Sequence, residues 1–325
     1  MSGRALVTGC AGFIGSHLSD RLLADGWEVD GIDALTDYYD RSIKRDNLAG
    51  LLPHRNFRFH EGDLASASSA TLVSLLDAVD TVWHLAGQPG VRASFGRGFD
   101  EYVHANVIGT QRLLEAAAAV RLHRFVYASS SSVYGNAVDL PTTEDSPLRP
   151  VSPYGMTKVA TETLATTYFD LVGIPVVGLR YFTVYGPRQR PDMAFSRFIT
   201  AALNGEPLRI NGTGEQIRDF TYVDDIVEAT IAAGDRGRPG GVYNVGGGQP
   251  VGLNDAVRTL ARVLGVAVSI EHHAAPRGDA RVTTADIGRC RQDLGAVPRT
   301  PLERGLACQV RWALGRVAAT GVAAA

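Results

Sequence analysis

The sequence predicts an α/β protein built on a doubly wound parallel sheet, with a smaller α/β lobe attached. Three observations predict it. Apolar runs of strand length alternate with helix-length segments through residue 182. A glycine-rich turn joins the first run to the first helix. Past residue 183 the alternation gives way to shorter mixed elements with more Pro and Gly.

Residues 4–8 read as a short buried strand, followed by Gly9-x-x-Gly12-x-x-Gly15 and an amphipathic helix through Leu18, Leu22 and Leu23 that stops at Gly26. A second strand, Glu28 to Ile32, ends in Asp33, 18 residues after Gly15. Glycines let the backbone approach a pyrophosphate, and a helix N-terminus offers it amides and partial positive charge. Asp33 would take the ribose hydroxyls of the adenosine half. The reading is therefore a Rossmann-like, dinucleotide-binding start.

Strands at Phe57–His60, Thr81–Leu85, Arg124–Ala128 and Pro175–Leu179 continue the pattern. They run into Gly62-Asp63-Leu64, Ala86-Gly87, the serines Ser129 to Ser132, and Arg180-Tyr181-Phe182-Thr183. Helices fill 66–78, 99–120 and 153–172. Ligands of such sheets sit outside the carboxyl ends of the strands, where every one of these motifs falls. Residues 1–182 thus form the dinucleotide-binding domain. Residues 183–315 form mainly a substrate-binding lobe: 192–204, Leu208–Asn211, Arg218–Tyr222, 224–234, Val242–Val245 and 252–264. Segments near 219–250 are expected to return to the first domain. The Ala/Gly/Val/Thr-rich tail, 316–325, is expected to be frayed.

Tyr154 and Lys158 carry the chemistry. Four residues apart on a helix, they share a face. A neighbouring ammonium favours the phenolate, so the pair can exchange protons with a sugar or alcohol hydroxyl near neutral pH. The chain has 32 Lys plus Arg, of which only Lys44 and Lys158 are lysines. A chain that uses Arg nearly everywhere keeps at 158 a compact, titratable amine.

Bulk composition excludes other classes. With 325 residues, 45% hydrophobic and 20% charged, the chain is an ordinary globular one. A net charge of −2 points to neither nucleic acid nor an anionic membrane surface. No long apolar run appears and no basic-then-apolar segment opens the chain, so the cytoplasm is the expected location. Cys10, Cys290 and Cys308 make no Cys-x-x-Cys, and His272 and His273 would point to opposite faces of a strand; no disulfide framework or metal site is expected.

Taken together, the glycine loop, Asp33, Asp63-Leu64, the serine run before Val133-Tyr134-Gly135, Tyr154-x-x-x-Lys158 and Arg218 to Asp225 resemble the extended short-chain dehydrogenase/reductases, in particular the nucleotide-sugar epimerases and dehydratases. The resemblance implies NAD as cofactor. Gly9, Gly12, Phe13, Ile14 and Gly15 would hold its pyrophosphate and Asp33 its adenosine ribose. Asp63 and Leu64 would flank adenine. Leu85, Ala86, Gly87, Asn106 and Tyr181 would line the remainder. Ser130, four residues before Tyr134, would bind the sugar O4. Tyr154 would be general base and acid, and Lys158 would hold the nicotinamide ribose.

Dehydratases of this family carry an Asp-Glu pair after the serine, and glucuronate decarboxylases a Glu at the second position. Here Ser131 and Ser132 stand there, which fits an epimerase. Arg180-Tyr-Phe-Thr183 through Arg188-Gln-Arg190-Pro-Asp-Met, Asp37-Tyr38-Tyr39-Asp40 and His84 to Arg92 resemble UDP-glucuronate 4-epimerases most. Gly87 and Pro89, where that subfamily has Ala, and Ser130 in place of Thr depart from it. The implied substrate is a UDP-sugar, contacted by Ser130, Thr183 and Arg190, with Arg92, Arg218, Arg277 and Asp279 as further candidates. The alternative is a UDP-glucose or UDP-N-acetylglucosamine 4-epimerase. The resemblance also implies a homodimer, pairing helices 99–120 and 153–172 of two subunits, with Leu113, Leu114, Leu164 and Phe169 as apolar candidates.

Overall fold

The computed structural model describes residues 3–274, 278 and 280–320. Six strands run through its first part: β1 (Arg4–Thr8), β2 (Glu28–Asp33), β3 (Phe57–Glu61), β4 (Thr81–His84), β5 (Arg124–Ser130) and β6 (Val176–Tyr181). With Val242–Val245 they form a seven-stranded sheet, ordered Val242–Val245, β6, β5, β4, β1, β2, β3. Every pairing is parallel. From β1 the chain winds outward to β3. It then crosses back to β4 and winds the other way. Loops diverge between β1 and β4, so a crevice opens there at the carboxyl ends.

Both faces of this sheet are covered, as its near-continuous apolar strands require. Helices α1 (Phe13–Ala24) and α2 (Arg41–Leu48) follow β1 and β2; α3 (Ser69–Leu76) follows β3. A helical stretch follows β4: α4 (Phe99–Tyr102), a π-helical turn at Val103–Ile108, then α5 (Gly109–Ala117). α6 (Pro153–Val172) follows β5. Alternate strand residues feed two cores. Leu6, Val82, Phe125 and Tyr127 pack with Leu72, Leu76, Leu113, Leu114 and Ala165 on one face. Ala5, Val7, Trp83 and Val126 pack with Leu18, Leu22, Ile226 and Ala233 on the other.

The later chain forms small sheets: Val184–Tyr185 with Thr221–Tyr222, Leu208–Asn211 with Ile270–His273, and Ile217–Asp219 between Pro250–Gly252 and Val282–Thr283. Val242–Val245 returns to the main sheet beside β6, and helix Val223–Arg236 packs on it.

Several boundaries differ from those read in the sequence. β5 runs on to Ser130 and β6 to Tyr181, because their last residues still pair, Ser129 with Arg180 and Ser130 with Tyr181. The helix begun at Phe99 carries a π turn and ends at Ala117. Of the tail 316–325, residues 316–320 continue the helix Leu302–Thr320, where Arg316 pairs with Asp46 at 2.9 Å and covers the Trp312 ring, and 321–325 lie outside the described residues.

Candidate active site

A cavity of about 1000 Å³ lies across the carboxyl ends of the main sheet, lined by the ends of β1 to β6. Gly9, Gly12, Phe13, Ile14 and Gly15 form one wall. Only glycine fits there. Gly9 has φ +73°, and a Cβ on Gly15 would lie 2.1 Å from the Gly9 carbonyl oxygen. Gly12 starts α1 without a side-chain cap, and no acidic residue lies in the first turn. That helix end thus offers uncapped amides to an anion. Asp33, 9% exposed, accepts from the backbone N–H of Leu35 (2.8 Å) and Ala11 (3.1 Å). Burial holds its carboxyl above the usual range, and Lys44 opposes this from 4.0 Å. Asp63 and Leu64 lie on the same wall, with Asp63 held by His104 Nε2 at 2.7 Å. The cradle, the uncapped helix end and the acid on β2 fit a dinucleotide.

α6 brings Tyr154 to the cavity. Ser152 caps it, accepting from Gly155 N–H at 3.1 Å; Pro153 occupies the first turn, and Gly173, with φ +83°, ends it. Gly155 lets the helix start lie against the serine run, since a Cβ there would be 2.6 Å from the Ser132 carbonyl oxygen. Tyr154 therefore faces Ser130, whose hydroxyl is close enough to favour the phenolate. Lys158 is buried and donates to the Ala128 carbonyl at 2.9 Å. Burial lowers its pKa to about 8, with Glu162 pulling the other way. The phenol itself differs from the expected downward shift. Burial raises Tyr154, and the Ser130 hydroxyl and the Arg190 charge offset this only in part. Lys158 reaches instead toward Ala128.

The other predicted residues separate into two groups. Leu85, Ala86, Gly87, Tyr181, Ser130, Thr183 and Arg190 line the cavity, as do Ser131 and Ser132. The lining carboxylates are Asp33, Asp37, Asp63, Asp100 and Glu101; none comes from the strand end that bears the serines. Arg190 is already forked onto Asp192, with Nε and Nη2 each donating at 2.9 Å. Asn106, Arg92 and Arg218 are not on the cavity wall. Asn106 is buried in the π turn, where its amide clips Gln88 of the β4 loop to Thr157 of α6. Arg92 is exposed; it donates to the Asn211 amide oxygen at 2.8 and 2.6 Å, with that amide turned oxygen-first. Arg218 donates to the carbonyls of Ile217 (2.9 Å) and Arg281 (3.2 Å). Arg277 and Asp279 lie outside the described residues. Among the described residues no group of His, Cys, Asp and Glu could hold a metal ion, and no helix is long and apolar enough to cross a membrane.

Sequence reasoning missed four contributors. Lys44 lines the cavity and donates to Thr36 at 2.9 Å; its signal was its rarity, since both lysines of the chain belong to this site. Glu162 and Arg180, buried and paired at 2.7 and 2.9 Å, fix Ser129, which donates to Glu162 at 2.5 Å. His84 lies buried beneath the cavity. Thr110 donates to the Asn106 carbonyl (2.6 Å), so it accepts from His84 Nε2–H (2.9 Å), leaving Nδ1 to accept from Thr8 (2.8 Å). Burial lowers its pKa from 6.5 to about 3. The unfolded chain binds that proton first. His84 thus contributes stability that is complete above pH 6.5 and is lost, at about 1.4 kcal/mol per unit, as pH falls below it. Thermal unfolding of wild-type protein between pH 7.5 and 5.5 should show this slope, and the His84→Gln variant should show a shallower one. Parallel slopes would remove the assignment.

The family model described as NAD dependent epimerase/dehydratase family matches residues 5–246. The chain is 42% identical to an uncharacterized UDP-glucose epimerase of Bacillus subtilis (strain 168), over 95% of this chain and 97% of that one. It is 38% identical to a UDP-glucuronate 4-epimerase of Thermodesulfobacterium geofontis (strain OPF15), over 95% and 96%. A crystal structure of a UDP-glucuronic acid 4-epimerase from Bacillus cereus, in complex with UDP-glucuronic acid and NAD, superposes with a TM-score of 0.92 at 40% identity, covering 95% of this chain and 98% of that one. With the glycine cradle, the acid of β2 and the Ser–Tyr–Lys set in one cavity, the chain belongs to the NAD dependent epimerase/dehydratase family.

Proposed function

We propose that the protein is an NAD-dependent 4-epimerase of a UDP-hexuronic acid, interconverting UDP-glucuronate and UDP-galacturonate through a transient 4-keto sugar. The observation that carries this is the cavity wall around Tyr154: hydroxyls at Ser130, Ser131, Ser132 and Thr183, a cation at Arg190, and no acid from the serine strand. Elimination of water needs such an acid; inversion at C4 does not.

Residues 1–182 would hold NAD and present Ser130 and Tyr154 to the sugar, and the lobe after 183 would reach the UDP-sugar from the side where Thr183, Val184, Arg190 and Met193 line the cavity. NAD, when bound, would supply reversible oxidation at C4. The chain's own residues do the rest. Tyr154 takes the O4 proton and returns it, with Ser130 orienting O4. Lys158 supplies a buried ammonium for the nicotinamide ribose. Asp33 favours NAD, since a 2′-phosphate would meet its carboxylate. Thr183 and Arg190 hold the C6 carboxylate through charge-assisted hydrogen bonds. A 4-ketone beside that carboxylate is a β-keto acid, which loses carbon dioxide when its C5–C6 bond aligns with the carbonyl π system. Fixing the carboxylate keeps that bond out of line.

Incubation with UDP-glucuronate and no added cofactor should give UDP-galacturonate with little UDP-pentose by mass spectrometry. Arg190→Ala should lose about tenfold in kcat/KM on the acid sugar, or release decarboxylated product, while retaining NAD. Unchanged kinetics and product ratio would remove the reason for choosing an acidic sugar. One observation favours a neutral UDP-hexose instead: Asp192 already balances the charge of Arg190. Faster turnover of UDP-glucose than of UDP-glucuronate would establish that reading.

We take the working unit to be a cytoplasmic homodimer paired through α5 and α6. Leu113 and Leu114 are fully buried against the sheet, and Leu164 and Phe169 pack against the same core. Leu113 and Leu114 therefore face away from the contact, while the exposed parts of Leu164 and Phe169 stay available to it. Ile108 and Met156, about two-fifths exposed, supply the apolar surface there. Light scattering that returns a monomer mass at micromolar concentration would reject the dimer.

A further inference from the structure

Arg190 does not stand alone at the sugar end of the cavity. Its Nε and Nη2 are fixed by the two oxygens of Asp192, both at 2.9 Å. That pairing uses one edge of the planar guanidinium. It leaves Nη1 and the outer Nη2 hydrogen for a ligand in the cavity that Arg190 lines. Asp192 is itself held. The Tyr38 hydroxyl sits beside Asp192 and near the Tyr102 hydroxyl, both hydroxyls facing Gly90. Tyr102 donates to the carbonyls of Pro89 (2.9 Å) and Gly90 (2.7 Å), and its ring meets that of Tyr154 edge-on at 6.1 Å. Tyr102, Tyr38, Asp192 and Arg190 thus link the loop after β4, the loop after β2 and the loop after β6 around one cavity.

We propose that Asp192, steadied by Tyr38, is a positioning residue that sets the plane of the Arg190 guanidinium and so fixes how the C6 carboxylate of the sugar is held. The inference rests on the reading of the substrate as UDP-glucuronate. An arginine paired along one edge presents its other edge in a single orientation. Without Asp192 the long side chain samples several, and the carboxylate loses its fixed partner. The 4-keto sugar can then rotate C5–C6 into line with the carbonyl. That bond breaks, its electron pair enters the C4 carbonyl as an enolate, carbon dioxide leaves and C5 takes a proton, leaving a UDP-4-keto-pentose that is counted with its reduced form as UDP-pentose.

The test uses full-length protein with its copurified cofactor. Wild type, Asp192→Ala and Tyr38→Phe are compared for KM on UDP-glucuronate, UDP-pentose as a share of product, and the Kd of UDP alone. Asp192→Ala should raise KM about tenfold and increase the pentose share several-fold, with the UDP Kd unchanged. Tyr38→Phe deletes one hydroxyl and should move both in the same direction, by a smaller factor. If wild type turns over UDP-glucuronate and neither variant changes KM or the pentose share, this inference falls alone. A UDP Kd that rises in step with KM also overturns it, because the site has then merely loosened. No turnover of UDP-glucuronate by wild type overturns the functional reading and this inference with it.

Discussion

Tyr154→Phe should lower kcat by roughly 10²–10⁴-fold, the usual range for a lost general acid–base group. The substitution deletes one oxygen and keeps the ring, which packs edge-on against Tyr102. Circular dichroism and the unfolding midpoint should therefore stay at the wild-type values. Ser130 is too weak an acid–base group to replace the phenol, and His84 is below the cavity with both ring nitrogens occupied. The raised pKa of the phenol adds a condition. In the protein alone Tyr154 is a proton donor at neutral pH, so its basic form is the one that must be stabilised when the site is filled. A variant within about threefold of wild type would assign the base elsewhere.

Lys158→Met should be nearly as severe, about a hundredfold or more in kcat/KM, and should also weaken cofactor retention. Met keeps the length and fills the space, so the change removes the charge and the donor on Ala128. The readout is twofold. The absorbance ratio at 260 to 280 nm of purified protein should fall as NAD is lost, and rate should fall even at saturating NAD. The sign of the pH effect follows from the lysine. It is protonated below its pKa, which burial has brought to about 8. If the ammonium is the active form, wild-type activity declines as pH rises through about 8, and that alkaline limb vanishes in the Met variant. Full NAD content with near-normal rate would show that Lys158 only supports the backbone of β5.

The glycine loop, Asp33, the serine run and the Tyr–Lys pair were legible because each is a local device. A tight turn that admits no Cβ, an acid at a strand end and two residues one helical turn apart are all specified within a few positions of the chain. The arginines were not legible in this way. Arg92, Arg190 and Arg218 have the same long side chain in the sequence, and its reach exceeds the spacing of neighbouring elements. Only the fold shows that Arg190 enters the cavity, that Arg92 turns to Asn211, and that Arg218 turns to backbone carbonyls. The surroundings of Asn106 were equally hidden: a π turn, invisible in an apolar period, rotates it to the Gln88 backbone and Thr157.

Taken alone, the sequence determined the class of sheet and which local motifs gather at its carboxyl ends around one cavity, since these depend on period, turn chemistry and spacing along the chain. The tertiary structure decided the electrostatics. Burial raised Tyr154, lowered Lys158 to about 8 and held Asp33 above its usual range. It also brought Glu162 onto Ser129 and Arg180. Those shifts depend on how much water is excluded and on which charges, distant in the chain, end up within a few ångströms, and neither quantity exists until the sheet is assembled.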